Sequence, residues 1–229
     1  MTISILTLFP EMFVGPFDQS IIKRAQEKGL IKIEYINIRD FGIGSHKVVD
    51  DTPYGGGVGM VLKIDILHQA IEHAKKKSPT EKTKIILLSA SGKTFKQQKA
   101  KEFIKLDHLI LICGHYEGID ARIKEYIDEE ISIGDFVLTG GEIPAMLITD
   151  AVTRLLPGVI TEGATEDESF SERDGQSLLE YPHYTKPRIY ENHEVPQVLL
   201  NGDHKKIAEW RKEQAIKITK KVRPDLLNH

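Results

Sequence analysis

Short apolar runs alternate with longer segments of helical periodicity from the start of the chain to residue 156. The runs are rich in strand-forming residues and predict strands over 3–9, 31–38, 84–88, 108–113 and 129–133. The other segments predict helices over 13–25, 63–77, 96–106, 119–126 and 142–156. Because strands and helices alternate, we expect an α/β fold with a mostly parallel sheet. The last helix is apolar on nearly every side, so we expect it in the core or in a subunit interface.

Glycine-containing turns follow three of the predicted strands, at 89–92, 114–118 and 134–141. Ligands bind at the carboxyl ends of the strands in an open parallel sheet, so the three turns predict one shared site. For the last turn alone, the spacing fits either a bent strand end or a ligand loop. Gly92-Lys93-Thr94 resembles the end of a phosphate loop, but Leu87 stands where that motif needs glycine. We therefore reject a nucleotide hydrolase.

The segment 39–60 is longer and more polar than most connections in a compact domain, and long connections tend to be functional. Its accessible backbone amides suit a phosphate or a base, and a flexible loop is the alternative interpretation. The residues concerned are Tyr54, Gly55, Gly56, Gly57 and Gly59.

Charge is unevenly distributed along the 229 residues, although the net charge is only −3. Residues 162–180 hold seven acids and one base, a net of −6, whereas residues 201–229 hold eight bases and four acids, a net of +4. This asymmetry predicts two surfaces with different roles. We expect 163–178 to be mobile because it is polar and aperiodic. A basic helix over 203–222 fits either a solvated face or a phosphate-binding surface.

The chain has one cysteine, Cys113, which excludes an intrachain disulfide and favours a reducing compartment. No apolar run approaches the ~20 residues that a membrane-spanning helix needs. The N-terminus lacks the basic flank of a signal peptide. We therefore expect a soluble, cytoplasmic protein.

Four motifs rich in glycine or aromatic residues follow one another along the chain. They are P-Y-G-G-G-V-G-M (53–60), C-G-H-Y-E-G-I-D (113–120), S-I-G-D-F-V-L-T-G-G-E-I-P-A-M (132–146) and Y-P-H-Y-T-K-P (181–187). In this order they resemble the bacterial tRNA (guanine-N1)-methyltransferase family, and the resemblance extends over the whole chain.

The resemblance implies a SPOUT methyltransferase, with a mostly parallel α/β sheet, a C-terminal trefoil knot and a small helical C-terminal domain. It implies a homodimer whose active site is shared between subunits. The domains would be a cofactor-binding domain (1–161), a mobile acidic interdomain loop (162–180) and a helical tRNA-binding domain (181–229).

The same resemblance implies S-adenosylmethionine as the cofactor, held between the glycine turns. Backbone groups would contact the adenine edge, and apolar side chains would pack on its faces. The side chains of Asp135 and Glu142 are expected to be structural. The implied cofactor-binding residues are Leu87, Ser89, Gly114, Tyr116, Glu117, Gly118, Ile133, Gly134, Asp135, Phe136, Val137, Leu138, Gly140, Gly141, Pro144 and Glu180. We assign no metal-binding residues.

Methylation of guanine at N1 needs a base for the N1 proton and a cation for the negative charge that develops on the carbonyl oxygen. The resemblance implies Arg154 as the cation and an acid of the 162–180 loop as the base. The family's aspartate directly precedes Ser-Phe, a place that Glu168 occupies here, with Asp167 one residue earlier. Both stay candidates for the base.

The implied substrate is tRNA with a guanosine immediately 3′ of the anticodon. Lys205, Lys206 and Arg211 of the basic helix would bind stem phosphates, and the segment 54–59 would also contact the substrate. The alternatives are a SPOUT methyltransferase that acts on ribosomal RNA or on a ribose hydroxyl, and a non-catalytic RNA-binding module.

Overall fold

A computed structural model describes residues 1–173 and 176–227 of the chain. The described chain divides into two compact units, Met1–Ile160 and Thr161–His229. No helix in these described ranges is long and apolar enough to cross a membrane.

The first unit contains seven strands, four α-helices and three 3₁₀ helices among its described residues. The strands are β1 Thr2–Thr7, β2 Lys32–Asn37, β3 Asp50–Asp51, β4 Val61–Leu62, β5 Thr83–Thr94, β6 His108–Cys113 and β7 Glu129–Ser132. The α-helices are α1 Ser20–Glu27, α2 Ile64–Lys77, α3 Gln97–Phe103 and α4 Glu142–Thr153. The 3₁₀ helices are Pro10–Phe13, Ile38–Phe41 and Ala121–Tyr126.

The central sheet has five strands in the order β2-β1-β6-β5-β7, and every neighbouring pair is parallel. The expected α/β fold with a mostly parallel sheet is therefore confirmed. All carboxyl ends of these strands lie at one edge of the sheet, because the strands are parallel. The short strands β3 and β4 form a separate antiparallel ribbon.

The core consists of two apolar layers on opposite faces of the sheet. In the central strand β6, Leu109, Leu111 and Cys113 belong to one layer, and Ile110 and Ile112 belong to the other. Alternate residues of a strand point to opposite faces, so both faces of β6 are covered. This is the reason why its sequence is a continuous apolar run.

Helix α4 buries one side and exposes the other. Ala145, Ile148 and Val152 are fully buried in the core, whereas Ile143 and Leu147 are 50% and 43% exposed. This helix was expected in the core or in a subunit interface, and one of its faces is buried in the core.

The turn expected at 89–92 is wrong, because β5 continues through this segment to Thr94. Lys93 and Thr94 pair with Ile131 and Ser132 of β7, and Leu88 also lies opposite Ile131. The residues between Leu88 and Lys93 therefore form a bulge in the strand. The backbone of β7 holds this segment in the sheet instead of releasing it into a helix.

Two predicted helices also differ from the structure. The segment predicted as one helix over 13–25 contains the end of a 3₁₀ helix at Phe13 and then α1, which begins at Ser20. Gly15, with φ of +101°, and Pro16 interrupt the helical backbone between them. The helix predicted over 119–126 is a 3₁₀ helix, Ala121–Tyr126.

The second unit contains two short antiparallel pairs and one long helix among its described residues. Its strands are β8 Ser171–Arg173, β9 Gln176–Leu178, β10 Ile189–Tyr190 and β11 His193–Glu194, and its helix is α5 His204–Val222. Two 3₁₀ helices, Gln197–Leu199 and Pro224–Leu227, complete it.

The basic helix predicted over 203–222 is confirmed as α5, and the side chain of Asp203 caps it by accepting a hydrogen bond from the Lys206 amide at 3.2 Å. The segment 163–178, which was expected to be mobile, contains the paired strands β8 and β9 in its second half. Leu178 packs with Tyr181 and Ala215, which explains why a polar segment forms strands here. Asp174 and Gly175 of that segment lie outside the described residues.

His108 is a fully buried titratable side chain at the start of β6. Its Nε2 atom lies 2.9 Å from the hydroxyl of Ser4. Burial lowers the pKa of His108, while the backbone of Ser78 and the charge of Glu34 act in the opposite direction. The folded protein therefore binds a proton at this imidazole less tightly than the unfolded chain does.

We predict that His108 makes the stability of the protein depend on pH. Its contribution should be present above the unfolded pKa of about 6.5 and should be lost as the pH falls below that value, because the unfolded chain then binds more protons. Urea unfolding should show a larger loss of stability between about pH 7 and about pH 5 for the wild type than for His108→Gln.

The exposed His46 provides the control for this measurement. His46→Gln should keep the wild-type dependence on pH. Equal pH slopes for the wild type and His108→Gln would contradict the prediction.

Candidate active site

A cavity of about 400 Å³ opens at the bulge of β5 and at the carboxyl ends of β6 and β7. Its volume is in the range of about 300–1,000 Å³ that is usual for small-molecule sites. Residues from all three predicted glycine turns line it, so the sequence-based expectation of one shared cavity is confirmed. Its lining residues are 87–91, 114–119, 121, 123–124, 130–133, 136–141 and 144.

Thirteen of the predicted cofactor-binding residues line this cavity, and the other three do not. Gly134 and Asp135 are absent from the described lining, although their neighbours Ile133 and Phe136 belong to it, and Glu180 lies in the second unit. The thirteen are Leu87, Ser89, Gly114, Tyr116, Glu117, Gly118, Ile133, Phe136, Val137, Leu138, Gly140, Gly141 and Pro144.

Two glycines bring the start of α4 against the end of β6. The amide of Gly141 donates a hydrogen bond to the carbonyl of Gly114 at 2.9 Å. A Cβ atom on residue 141 would lie 2.6 Å from the Cα atom of Cys113, and one on residue 140 would meet the carboxylate of Glu142 and the ring of His115. Side chains at these positions would therefore force the two segments apart.

The glycine-rich segment 54–59 reaches the same region. The amide of Glu117 donates to the carbonyl of Met60 at 3.2 Å, and a Cβ atom on Gly59 would collide with the Glu117 side chain. The predicted substrate-binding segment therefore contacts one of the loops that line the cavity. Tyr54, at the other end of this segment, is fully exposed.

Glu142 is a buried acid that connects three segments at the base of the cavity. Its Oε1 atom accepts a hydrogen bond from the Thr7 hydroxyl at 2.7 Å, and its Oε2 atom lies 4.0 Å from Nε2 of His115. It also stands in the first turn of α4, where the helix dipole stabilises a carboxylate. These contacts support a structural role for the Glu142 side chain.

Cys113 adds no nucleophile to this region. The thiol is fully buried, and burial raises its pKa well above the ordinary value, with a further contribution from the charge of Glu142. Since the thiolate is the reactive form, Cys113 is an inert core residue.

One wall of the cavity carries a chain of polar contacts that the sequence analysis missed. It joins Ser89, Ser91, Glu130 and Lys124 at distances of 2.8 Å, 3.0 Å and 3.0 Å. Only Ser89 of these four was predicted. The signal was hidden because a pair of adjacent glutamates in a strand does not reveal which one faces a ligand.

The second unit contains its own cavity of about 560 Å³. The predicted base Asp167 lines it together with Arg211, which was predicted to bind substrate, and with Lys212. The guanidinium of Arg211 lies 4.8 Å from the centre of the Tyr181 ring, a cation–π distance. The structure thus brings one candidate base and one predicted substrate-binding cation to the same cavity.

The other predicted residues of the second unit do not belong to the described lining of this cavity. The backbone carbonyl of Glu168 accepts hydrogen bonds from the amide and hydroxyl of Ser171. Glu180 contacts Nε2 of His183 at 2.8 Å. Lys205 and Lys206 are exposed in the first turn of α5, and Lys206 pairs with Asp203 at 3.2 Å.

Arg154 belongs to the first unit. It directly follows α4, and its amide donates to the carbonyl of Asp150 at 3.1 Å. The predicted cation and the predicted acids therefore stand in different units of the chain. In the described ranges, no group of three or more His, Cys, Asp or Glu side chains is arranged to hold a metal ion.

A parallel α/β sheet with a glycine-lined cavity at its strand ends defines a protein that binds a small organic ligand there. The family model for "tRNA (Guanine-1)-methyltransferase TrmD" matches residues 1–229. The chain belongs to this methyltransferase family, as its motifs predicted.

Relatives with the name tRNA (guanine-N(1)-)-methyltransferase support this assignment. The protein of Alkaliphilus metalliredigens is 56% identical over 99% of this chain and 92% of its own length. That of Carboxydothermus hydrogenoformans is 56% identical over 99% of the chain and 87% of its own length. That of Desulforudis audaxviator is 53% identical over 100% of the chain and 90% of its own length.

We predict that Gly141→Ala lowers the free energy of unfolding by about 2–3 kcal/mol. The new methyl group would meet the backbone of Cys113, which cannot move aside as a flexible side chain could. Urea denaturation measures this loss.

The matched control is Gly114→Ala on the facing loop. A Cβ atom there would meet its nearest neighbour, the carbonyl oxygen of Leu88, at an ordinary distance of 3.5 Å. This variant should lose much less stability. Similar losses for the two variants would show that the close approach at Gly141 does not cause the loss.

Proposed function

We propose that this protein transfers a methyl group from S-adenosylmethionine to N1 of the guanosine immediately 3′ of the anticodon in tRNA. Methylation of guanine N1 in tRNA follows from the family. The observation that supports the choice of donor is the cavity formed by the three glycine-containing segments, where the resemblance to the family implies the cofactor.

The cavity fits S-adenosylmethionine in size and in chemistry. Leu87, Phe136 and Leu138 offer apolar surface to a purine ring, and the backbone of 133–141 offers hydrogen-bonding groups to its edge. Gly140 and Gly141 permit the close approach of this loop to Cys113 and His115, where a Cβ atom would collide. When bound, the cofactor supplies an electrophilic methyl group on a sulfonium. We also propose the family's trefoil knot for the segments that surround this site, an exception to the rule that chains do not thread.

The chain must supply the groups that handle the proton and the charge of guanine. Asp167 accepts the N1 proton in our proposal, because its side chain lines a cavity with the substrate-binding candidates Arg211 and Lys212. Glu168 is the alternative base. Arg154 stabilises the negative charge that develops on the guanine carbonyl oxygen. Glu180 is assigned to the methionine end of the cofactor.

In the proposal, cations of α5 bind the tRNA phosphates, and the target base lies in a single-stranded loop. Lys205, Lys206 and Arg211 project from the exposed surface of α5 and suit the phosphates of the anticodon stem. A base in the anticodon loop is unstacked at lower cost than a base in a duplex. The segment 54–59, which contacts the loop at Glu117, is placed to meet the target nucleotide.

The exposed apolar residues of the first unit support a homodimer with a shared active site. Ile143 and Leu147 of α4 are half exposed, and Val14 and Val137 are 73% and 87% exposed. Exposed apolar residues that form a patch usually mark an interaction site. A second subunit would cover these residues close to the cavity that Pro144 lines. A tRNA substrate also supports a cytoplasmic location.

The function is tested by single-turnover methylation of tRNA with labelled S-adenosylmethionine, followed by mapping of the methyl group. The label should appear on N1 of the guanosine 3′ of the anticodon. Asp167→Asn should slow the reaction by about 10²–10⁴-fold, the usual contribution of a general base, and Glu168→Gln should stay near the wild type.

Each result has a distinct meaning. A methyl group on a ribose or on another nucleotide would exclude the proposed reaction. If Glu168→Gln is the slow variant, the base is Glu168. If both variants react at the wild-type rate, the base does not come from this acidic segment.

Replacement of Lys205, Lys206 and Arg211 by Gln should weaken tRNA binding and flatten its dependence on salt. The plot of log affinity against log salt concentration should lose about 0.7–0.9 from its slope for each phosphate contact removed. Filter binding of tRNA to the protein at several salt concentrations measures this change.

A basic cluster of equal charge at the end of α2 serves as the control. Lys75, Lys76 and Lys77 are exposed there, and their replacement by Gln should leave the slope unchanged. Equal slopes for the two triple variants would show that α5 is not part of the tRNA-binding surface.

A further inference from the structure

The polar chain on the cavity wall has a defined direction of hydrogen bonding. Lys124 contacts Oε1 of Glu130 at 3.0 Å, and the hydroxyl of Ser91 donates to Oε2 of the same carboxylate at 3.0 Å. A carboxylate only accepts hydrogen bonds, and a serine hydroxyl has one proton to donate. The single proton of the Ser91 hydroxyl is therefore committed to Glu130.

This commitment decides the next bond in the chain. The hydroxyl oxygens of Ser89 and Ser91 lie 2.8 Å apart, and either could donate if the pair stood alone. Because the Ser91 proton goes to Glu130, Ser89 must be the donor. The Ser89 oxygen also accepts from the amide of Ser91 at 3.2 Å. One lone pair is all that Ser89 has left to offer to the cavity.

We propose that Glu130, acting through Ser91, holds Ser89 as a hydrogen-bond acceptor that selects a donor group on the bound cofactor. This inference rests on the proposed function, since it concerns the ligand of the same cavity. Ser89 contacts the ligand, whereas Ser91 and Glu130 are positioning residues. A cofactor of the adenosylmethionine type has three kinds of donor. The adenine amino group is assigned above to the backbone of 133–141, which leaves a sugar hydroxyl and the α-ammonium group for Ser89.

The Glu130 side chain is well placed to impose this direction. It is only 16% exposed, and its two oxygens have different partners, Lys124 on one side and Ser91 on the other. The neighbouring Glu129 faces the opposite side of the strand, where it pairs with Lys84 at 2.9 Å and with Lys99 at 3.0 Å. The two adjacent acids thus have separate roles.

Glu130→Gln should reverse the direction of these hydrogen bonds without changing the positions of the side chains. Lys124 has only donors, so the carbonyl oxygen of the new amide should turn to Lys124, and its NH₂ group should turn to Ser91. Ser91 would then accept from residue 130 and donate to Ser89. The proton of Ser89 would be released toward the cavity, and Ser89 would face the ligand's donor with a donor of its own.

The test uses calorimetry with S-adenosylhomocysteine, the demethylated product, and with three analogues of it. Two lack the 2′- or the 3′-hydroxyl of the sugar, and the third lacks the α-amino group. For the parent compound, Ser89→Ala should weaken binding roughly two- to tenfold, and Glu130→Gln at least as much. One analogue, the one that lacks the recognised donor, should bind the wild type and both variants with equal affinity. The identity of this analogue distinguishes the sugar hydroxyls from the ammonium group.

Two further variants complete the design. Glu129→Gln removes an acid from the opposite face and should leave the order of the four affinities unchanged. Ser91→Ala frees the Ser89 proton without an amide at position 130 and should reduce the preference for the parent compound, which keeps the test valid if Glu130→Gln folds poorly.

The outcomes separate this inference from the proposed function. If the wild type binds the parent but Ser89→Ala and Glu130→Gln weaken all four ligands by the same factor, Ser89 selects no donor and the inference is overturned alone. If the wild type binds neither the parent nor S-adenosylmethionine, the proposed function falls and the inference falls with it.

Discussion

The hydrogen bond from the amide of Gly141 to the carbonyl of Gly114 is the contact on which the candidate site depends. It brings the start of α4 to within backbone distance of the end of β6, and a side chain on Gly141 would lengthen it. The bond from Thr7 to the buried Glu142 attaches the same helix start to β1. The loop at 133–141 is therefore held at both the sheet and the helix, and the cavity opens between this loop, the bulge of β5 and the loop at 114–118.

Local hydrophobic pattern was enough to predict the parallel sheet, because each central strand is buried on both faces. The strand predicted over 108–113 is β6 residue for residue. The pattern failed where a distant partner decides the conformation. The bulge at 89–92 remains in β5 because Lys93 and Thr94 pair with residues almost forty positions later in the chain. The hairpin of β8 and β9 likewise depends on the packing of Leu178 against Ala215 of α5.

The candidate site was predictable in its backbone and not in its side chains. Glycines that permit a close approach leave a visible mark in the sequence, and the segments that carry them meet in one cavity. Ser91, Glu130 and Lys124 leave no such mark, since serines and charged residues are common at any surface. Glu129 and Glu130 look alike in the sequence, yet the alternation of a strand sends one to a lysine pair and the other to the cavity wall.

The distribution of charge indicates why the proposed base belongs to the second unit. A segment with a net charge of −6 would repel RNA if it acted alone. The following residues 201–229 carry a net charge of +4, and Asp167 shares a cavity with Arg211 and Lys212 of that basic helix. Two cations of the basic helix thus line the same cavity as the proposed base. The cavity of the first unit, lined partly by glycine backbone and apolar side chains, lies apart in the sequence from this charged region.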